Sequence, residues 1–161
     1  MTETLDQQRL EAAQHRAARI IAKRQFHRQR RKVMAIRDWI EAELDYVPGV
    51  SHAGTTAVDT FLERQGVCRD YAHLMLTLCR AAQIPARIVS VFAPSVQPPD
   101  SHAVVEDFLD GAWHLVDPTG MAKADEIAII AVGRDAVDVA FMTTSCPAEL
   151  VTQTVSVSRI G

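Results

Sequence analysis

Gly66-Val67-Cys68-Arg69-Asp70-Tyr71-Ala72-His73-Leu74 is a glycine turn that delivers a cysteine directly into an apolar helical pattern. Tyr71, Leu74, Met75, Leu78 and Ala82 recur at helical spacing, which predicts a helix from Cys68 to about Gln83, ended by Pro85. The sulfur of Cys68 then sits at a helix N-terminus. Unpaired N–H groups and the helix dipole favour a thiolate there, and the thiolate is the nucleophilic form of cysteine. Asp70, in the first turn, suits a capping role against the same dipole. His73, one turn after Arg69, is expected to be a satisfied structural histidine, and Cys79, on the apolar stripe, a core residue.

Beyond Pro85 the period shortens to that of strands. Ile88–Phe92, His102–Leu109 and Ala112–Asp117 read as strands, the last two joined at Asp110-Gly111, a strong two-residue hairpin signal. With that loop Leu109 faces Ala112 and, further along, Val104 faces Asp117. Side chains alternate across a strand, so His102 shares a face with Val104 and lies diagonally from Asp117, roughly 7–8 Å away at the backbone. Phe108 and Trp113 pair across the strands on this same face. The face is therefore expected to look toward the core, with the Cys68 helix packed on it. A three-residue loop would shift the register and separate His102 from Asp117. Ile127–Val132 is an apolar run of undecided type, and Val137–Thr143 and Leu150–Val157 are expected to be further strands.

Upstream, residues 5–45 contain neither proline nor glycine and are rich in helix formers. Val33, Ile36, Trp39, Ile40 and Leu44 follow helical spacing, whereas the half through Arg31 is too polar to bury much. Tyr46-Val-Pro-Gly ends the helix, and a short helix over Ala57–Arg64 comes next, capped by Thr55 or Thr56. Helices first and an antiparallel sheet after define an α+β class. The expected division is a basic helical extension over residues 1–32 and a core over 33–161.

The 161 residues suffice for one hydrophobic core, and 48% apolar with 23% charged residues fits a globular chain. Neither a membrane-length apolar run nor a secretory leader is evident. Three cysteines cannot all pair within the chain, and Cys68 and Cys79 are too far apart on one helix to bridge; reduced thiols and a cytoplasmic location are expected. Net charge is −3 but uneven: residues 1–37 carry ten Lys/Arg and three Asp/Glu, the remainder seven and seventeen. The basic end reads as a solvated helix face. Nucleic acid is not the expected partner, because residues 16–37 hold nine Lys/Arg but only Phe26 as an aromatic and no nucleic-acid motif.

Cys68, His102 and Asp117 thus form a candidate Cys-His-Asp triad: a thiol to attack an acyl carbon, an imidazole to take its proton, and a carboxylate to orient the ring. The backbone N–H of Cys68 is one candidate oxyanion donor. Trp39, Tyr46 and Gln65 are each candidates for a second, with no basis for choosing among them. Four stretches, Gly66-Val-Cys-Arg-Asp-Tyr-Ala-His-Leu, Cys79-Arg-Ala-Ala-Gln-Ile-Pro-Ala-Arg, Ser101-His-Ala-Val-Val-Glu and Trp113-His-Leu-Val-Asp-Pro-Thr, resemble in order and spacing the transglutaminase-like superfamily of papain-like cysteine enzymes, and its bacterial members in particular. The resemblance covers about residues 40–145. It implies Cys68 as nucleophile, His102 as base and Asp117 as orienting group, on a core in which the cysteine helix packs against an antiparallel sheet.

The activities it implies are peptide or amide hydrolysis, protein cross-linking and deglycosylation, all through a thioester. Bacterial relatives often carry a β-rich domain before the core, where only a charged helix precedes it here, so a substrate-binding module is expected to be missing. The calcium sites of animal transglutaminases have no recognisable counterpart. His52, His102 and His114 do not show metal-ligand spacing, and neither metal nor cofactor is expected. A hydrolase acting on a peptide or protein substrate is the default, water being the more abundant acceptor. A cross-linking transglutaminase and a non-catalytic binding scaffold on the same fold are the alternatives.

Overall fold

A computed structural model describes the backbone of residues 2–140, 142–149 and 151–159, with side chains described from Gln14 onward. Helix α1 (Thr2–Glu43) runs 42 residues without a break, as a stretch free of proline and glycine allows. Residues 14–25 are exposed all round, and among the described residues the helix enters the core through Val33 and Ile40, followed by Leu44 just past its end, with Phe26, Ile36 and Trp39 packed at the margin. Strand β1 (Asp45–Tyr46) comes next. Helix α2 (Ala57–Glu63) starts at Thr56, whose hydroxyl accepts the Asp59 N–H while the Asp59 carboxylate accepts the Thr56 N–H, a reciprocal cap. Strand β2 (Gln65–Gly66) pairs in parallel with β1 and leads into helix α3 (Cys68–Ala81).

The sheet contains β3 (Ala86–Phe92), β4 (His102–Leu109), β5 (Ala112–Val116) and β6 (Ala128–Gly133) in the order β5-β4-β3-β6, all antiparallel. The apolar run of undecided type is thus an edge strand. The hairpin turns at Asp110-Gly111 with both residues at positive φ, 52° and 81°, the conformation that asparagine, aspartate and glycine tolerate best. Leu109 faces Ala112 and Val105 faces Val116, the register of a two-residue loop. The α+β class and the antiparallel sheet are as expected.

Two expectations are corrected. First, α3 packs on the other face of the sheet, against Ala86, Ile88, Val105 and Leu109. The Phe108–Trp113 pair forms, with ring centroids 5.1 Å apart, but both rings are more than one-third exposed and the Arg87 guanidinium lies 3.9 Å over Trp113. β4 is buried on both faces: Val104 joins Val89 and Val91 in a second apolar cluster, while Asp107, fully buried, faces α3. A charged residue on the core face made the opposite face look the more apolar. Second, neither C-terminal segment is a strand among the described residues. Residues 136–139 form a short 3-10 turn because Asp135 accepts the Val137 and Asp138 N–H groups through its side chain and carbonyl, and Asp138 accepts from the Arg134 N–H. Such local bonds compete with a ladder. Residues 151–159 carry alternating valines but no described strand pairs with them, and Val151 is 87% exposed.

Candidate active site

The start of α3 leaves room only for glycine at position 66. A Cβ on Gly66 would come within 2.7 Å of the Asp70 Cβ, because Asp70 folds back so that its Oδ2 accepts the Val67 N–H at 2.8 Å. Asp70 therefore caps α3 as expected, and is buried in doing so. The β1–β2 ladder adds a second constraint: Tyr46 lies opposite Gly66, and the Val47 N–H donates to the Gly66 carbonyl at 2.9 Å. This pairing sets the Tyr46 ring beside the start of α3.

His102 is the first residue of β4 and Asp117 comes directly after the last residue of β5, so both stand at the same end of the sheet. The start of α3 reaches that end, and Cys68 meets His102 there even though the helix packs on the opposite face. His102 Nε2–H donates to Asp117 Oδ2 at 3.0 Å with both groups buried, which leaves the other ring nitrogen for the thiol. Cys68, His102 and Ala103 line one cavity, and His102, the Ala103 N–H and the Tyr46 hydroxyl are close enough to act on the thiol.

Asp117 is fixed in turn by the loop it opens. Its Oδ1 accepts the Thr119 N–H at 2.9 Å and the Thr119 hydroxyl at 2.8 Å, and its Oδ2 accepts the Ala122 N–H at 2.7 Å. Thr119 and the N–H groups of Ala103 and Ala122 are not among the residues that the sequence singles out. Thr119 had a signal, since an aspartate binding the backbone two residues on is a common turn motif. The two N–H groups carry no signal in residue type.

These contacts set the charge state. Burial alone would push the Cys68 thiol up, but the hydrogen bond and charge of His102, with the Ala103 N–H and the Tyr46 hydroxyl, outweigh it and leave the thiol below its ordinary value. Burial likewise opposes a charged His102, yet Asp117 and Cys68 raise it to about 9. Asp117 is held below the usual carboxylate range, burial being overcome by His102 and the N–H groups of Thr119 and Ala122. These shifts favour the thiolate–imidazolium pair over the neutral thiol and imidazole, beside an ionised Asp117. Tyr46 is pushed up to about 12 by burial and by the neighbouring sulfur, so its hydroxyl keeps its proton. Of the three side chains considered as a second oxyanion donor, Tyr46 is placed against Cys68. Trp39 instead stacks on Phe61 at 5.6 Å beneath the Arg64 guanidinium.

The sequence profile of the transglutaminase-like superfamily matches residues 14–118, a span that contains all three groups of the relay. The chain belongs to the transglutaminase-like superfamily. It is similar to ML0607, an uncharacterized protein of Mycobacterium leprae (strain TN), with 36% identity over an alignment of 124 residues that covers 71% of this chain and 44% of the relative. Among solved structures it is similar to a "putative cysteine protease" from Cytophaga hutchinsonii, with 45% identity and a TM-score of 0.66 over 67% of this chain and 37% of that one. Calcium-bound LapG of Legionella pneumophila shares the fold, with a TM-score of 0.51, 14% identity and 64% of each chain covered. The chain thus spans less than half the length of the Mycobacterium and Cytophaga relatives.

Within this transglutaminase-like core several other polar residues near the site have structural partners. Arg69 donates to Ser51 Oγ and to the His52 carbonyl and ties the preceding loop to α3. His73 Nε2 accepts the Ala136 N–H at 3.3 Å, and burial holds this imidazole below its ordinary value. Cys79 is in the core and Cys146 is exposed. His52 accepts the Gly54 N–H through Nδ1, and His114 Nε2 lies 3.3 Å from the Leu109 carbonyl. Among the described residues no group of three or more His, Cys, Asp or Glu is arranged to hold a metal ion, and no helix is long and apolar enough to cross a membrane.

Proposed function

We propose that this transglutaminase-like core is a cysteine hydrolase of peptide or amide bonds that works through a thioester on Cys68. The observation that carries the reading is the buried His102–Asp117 hydrogen bond beside Cys68 at the N-terminus of α3, where Cys68 and His102 line the same cavity. In this mechanism the thiolate attacks the carboxamide carbon, and the oxygen that gains negative charge is met by the Cys68 N–H and the Tyr46 hydroxyl. The His102 imidazolium gives its proton to the leaving amine as the C–N bond breaks, and the acyl group remains on sulfur. Neutral His102 then takes a proton from water, which attacks the thioester and releases the acid and the thiolate. Asp117 holds the ring and balances its charge throughout. Chemically an amine could replace water in the second step; hydrolysis is the proposal because water is the more abundant acceptor.

The test is alkylation of each cysteine by iodoacetamide from about pH 5 to 9, read by peptide mass, in wild type and His102→Ala. Cys68 is expected to label well below an ordinary thiol pKa of about 8.5 and to lose this advantage in the variant. Slow, equal labelling of all three cysteines in both proteins would remove the nucleophile from the proposal.

A further inference from the structure

Beside Cys68, on the α3 side of the sheet, lies a cavity of about 450 Å³, a size typical of small-ligand sites. One wall is Ile88 and Ala103 of the sheet; the other is the stretch Ala136, Val137, Val139, Ala140 and Met142. This second wall is fixed to the rest of the fold. His73 on α3 accepts the Ala136 N–H, and Arg80 Nη2, also on α3, donates to the Arg134 carbonyl at 2.7 Å. The charged groups at the rim are already engaged. Arg69 is held by Ser51, His52 and Asp70, and Asp135 accepts the Val137 N–H and faces His73. Meanwhile Val137 is 83% exposed and Met142 is 47% exposed. Apolar side chains are left uncovered around the cavity that Cys68 lines, and the charged groups at its rim are each tied to neighbours.

We infer that this cavity is the acyl-donor pocket and that it takes a bulky apolar side chain next to the scissile carboxamide, of leucine or phenylalanine class, rather than a charged or small one. The inference rests on the nucleophile proposed above and names the substrate that the nucleophile would meet. Burying one leucine-sized side chain is worth roughly ten- to a hundredfold in affinity.

The test uses three haloacetamides with the same reactive carbon: iodoacetamide, N-isobutyl-iodoacetamide and iodoacetylglycine. In each the Cys68 thiolate forms a C–S bond to the methylene carbon and iodide leaves. The isobutyl reagent is expected to label Cys68 with saturation and roughly ten- to a hundredfold faster than iodoacetamide at low concentration, and the anionic reagent no faster than iodoacetamide. Val137→Asp, at a position exposed enough not to threaten folding, and Ala140→Trp, which fills the space, are each expected to bring the isobutyl-to-iodoacetamide ratio near one. Fast iodoacetamide labelling with no isobutyl preference, or a preference that survives both variants, overturns the pocket and leaves the nucleophile standing. Slow labelling by all three reagents overturns the nucleophile, and the pocket with it.

Discussion

Replacing Asp107 by asparagine tests the electrostatics of this core most directly. Asp107 is fully buried on the face of β4 that packs against α3, and neither carboxylate oxygen has a hydrogen-bond partner. Its titratable neighbours are Cys79 on α3 and His114, which lies opposite it on β5. Burial pushes the carboxyl from an ordinary 3.8 up to about 6, against small opposing effects of Cys79 and His114. At about 1.4 kcal/mol per tenfold change in proton affinity, such a rise makes ionised Asp107 a burden of about 3 kcal/mol on the folded state.

The raised folded value sets the sign. Well below pH 4 both folded and unfolded chains hold the proton and the burden is absent. It grows as the unfolded chain ionises first, and is complete above about pH 6, where both are charged. Asparagine cannot ionise, so any cost of its amide in the site is nearly independent of pH. Urea unfolding of wild type and Asp107→Asn at pH 4, 5, 6 and 7.5 is the assay. The stability of the variant relative to wild type should rise by about 2.4 kcal/mol across that range, most of it by pH 6.5. A His114→Gln background separates any contribution from the neighbouring imidazole. A difference between variant and wild type that stays flat with pH would refute the argument, and would mean that Asp107 is hydrated or paired.

The proposed relay makes further outcomes testable. Because His102 titrates at about 9 while Cys68 lies below its ordinary value, the thiolate–imidazolium pair should exist between those limits and hydrolysis should fall as pH rises through about 9. Asp117→Asn removes the largest influence holding the proton on His102, so that alkaline limb should move to lower pH, as read from a pH–rate profile. An unmoved limb would separate Asp117 from the titration of the ring. Tyr46→Phe should slow acylation by roughly a hundredfold if the hydroxyl meets the oxyanion, and should also move Cys68 labelling to higher pH, since the hydroxyl helps hold the thiol down. A change in neither would leave Tyr46 a packing residue.

Much of the frame is legible along the chain because it is set by local physics. The absence of glycine and proline before Pro48 specifies the long helix, Thr56 with Asp59 specifies the start of α2, and Gly66 with Asp70 specifies the start of α3 at Cys68. Asp110-Gly111 specifies the hairpin register, because positive φ at two successive residues suits them and few others. From that register alone His102 and Asp117 fall together, since the side-chain period of a strand leaves no freedom once the turn is known.

What only the tertiary structure decides is which groups from distant segments share space. The face of the sheet that α3 covers is misread from sequence because β4 is buried on both sides, and alternation carries no information where both faces are dry. Tyr46 is indistinguishable from Trp39 and Gln65 until the pairing of β1 with β2, across some twenty residues of chain, sets it against Cys68. Residues 136–139 carry strand-like alternating valines at 137 and 139, yet Asp135 and Asp138 hold them in a turn that walls the cavity. Periodicity and turn chemistry act between neighbours in sequence and can be read there, whereas burial, charge state and the shape of the site arise between elements and exist only once those elements have packed.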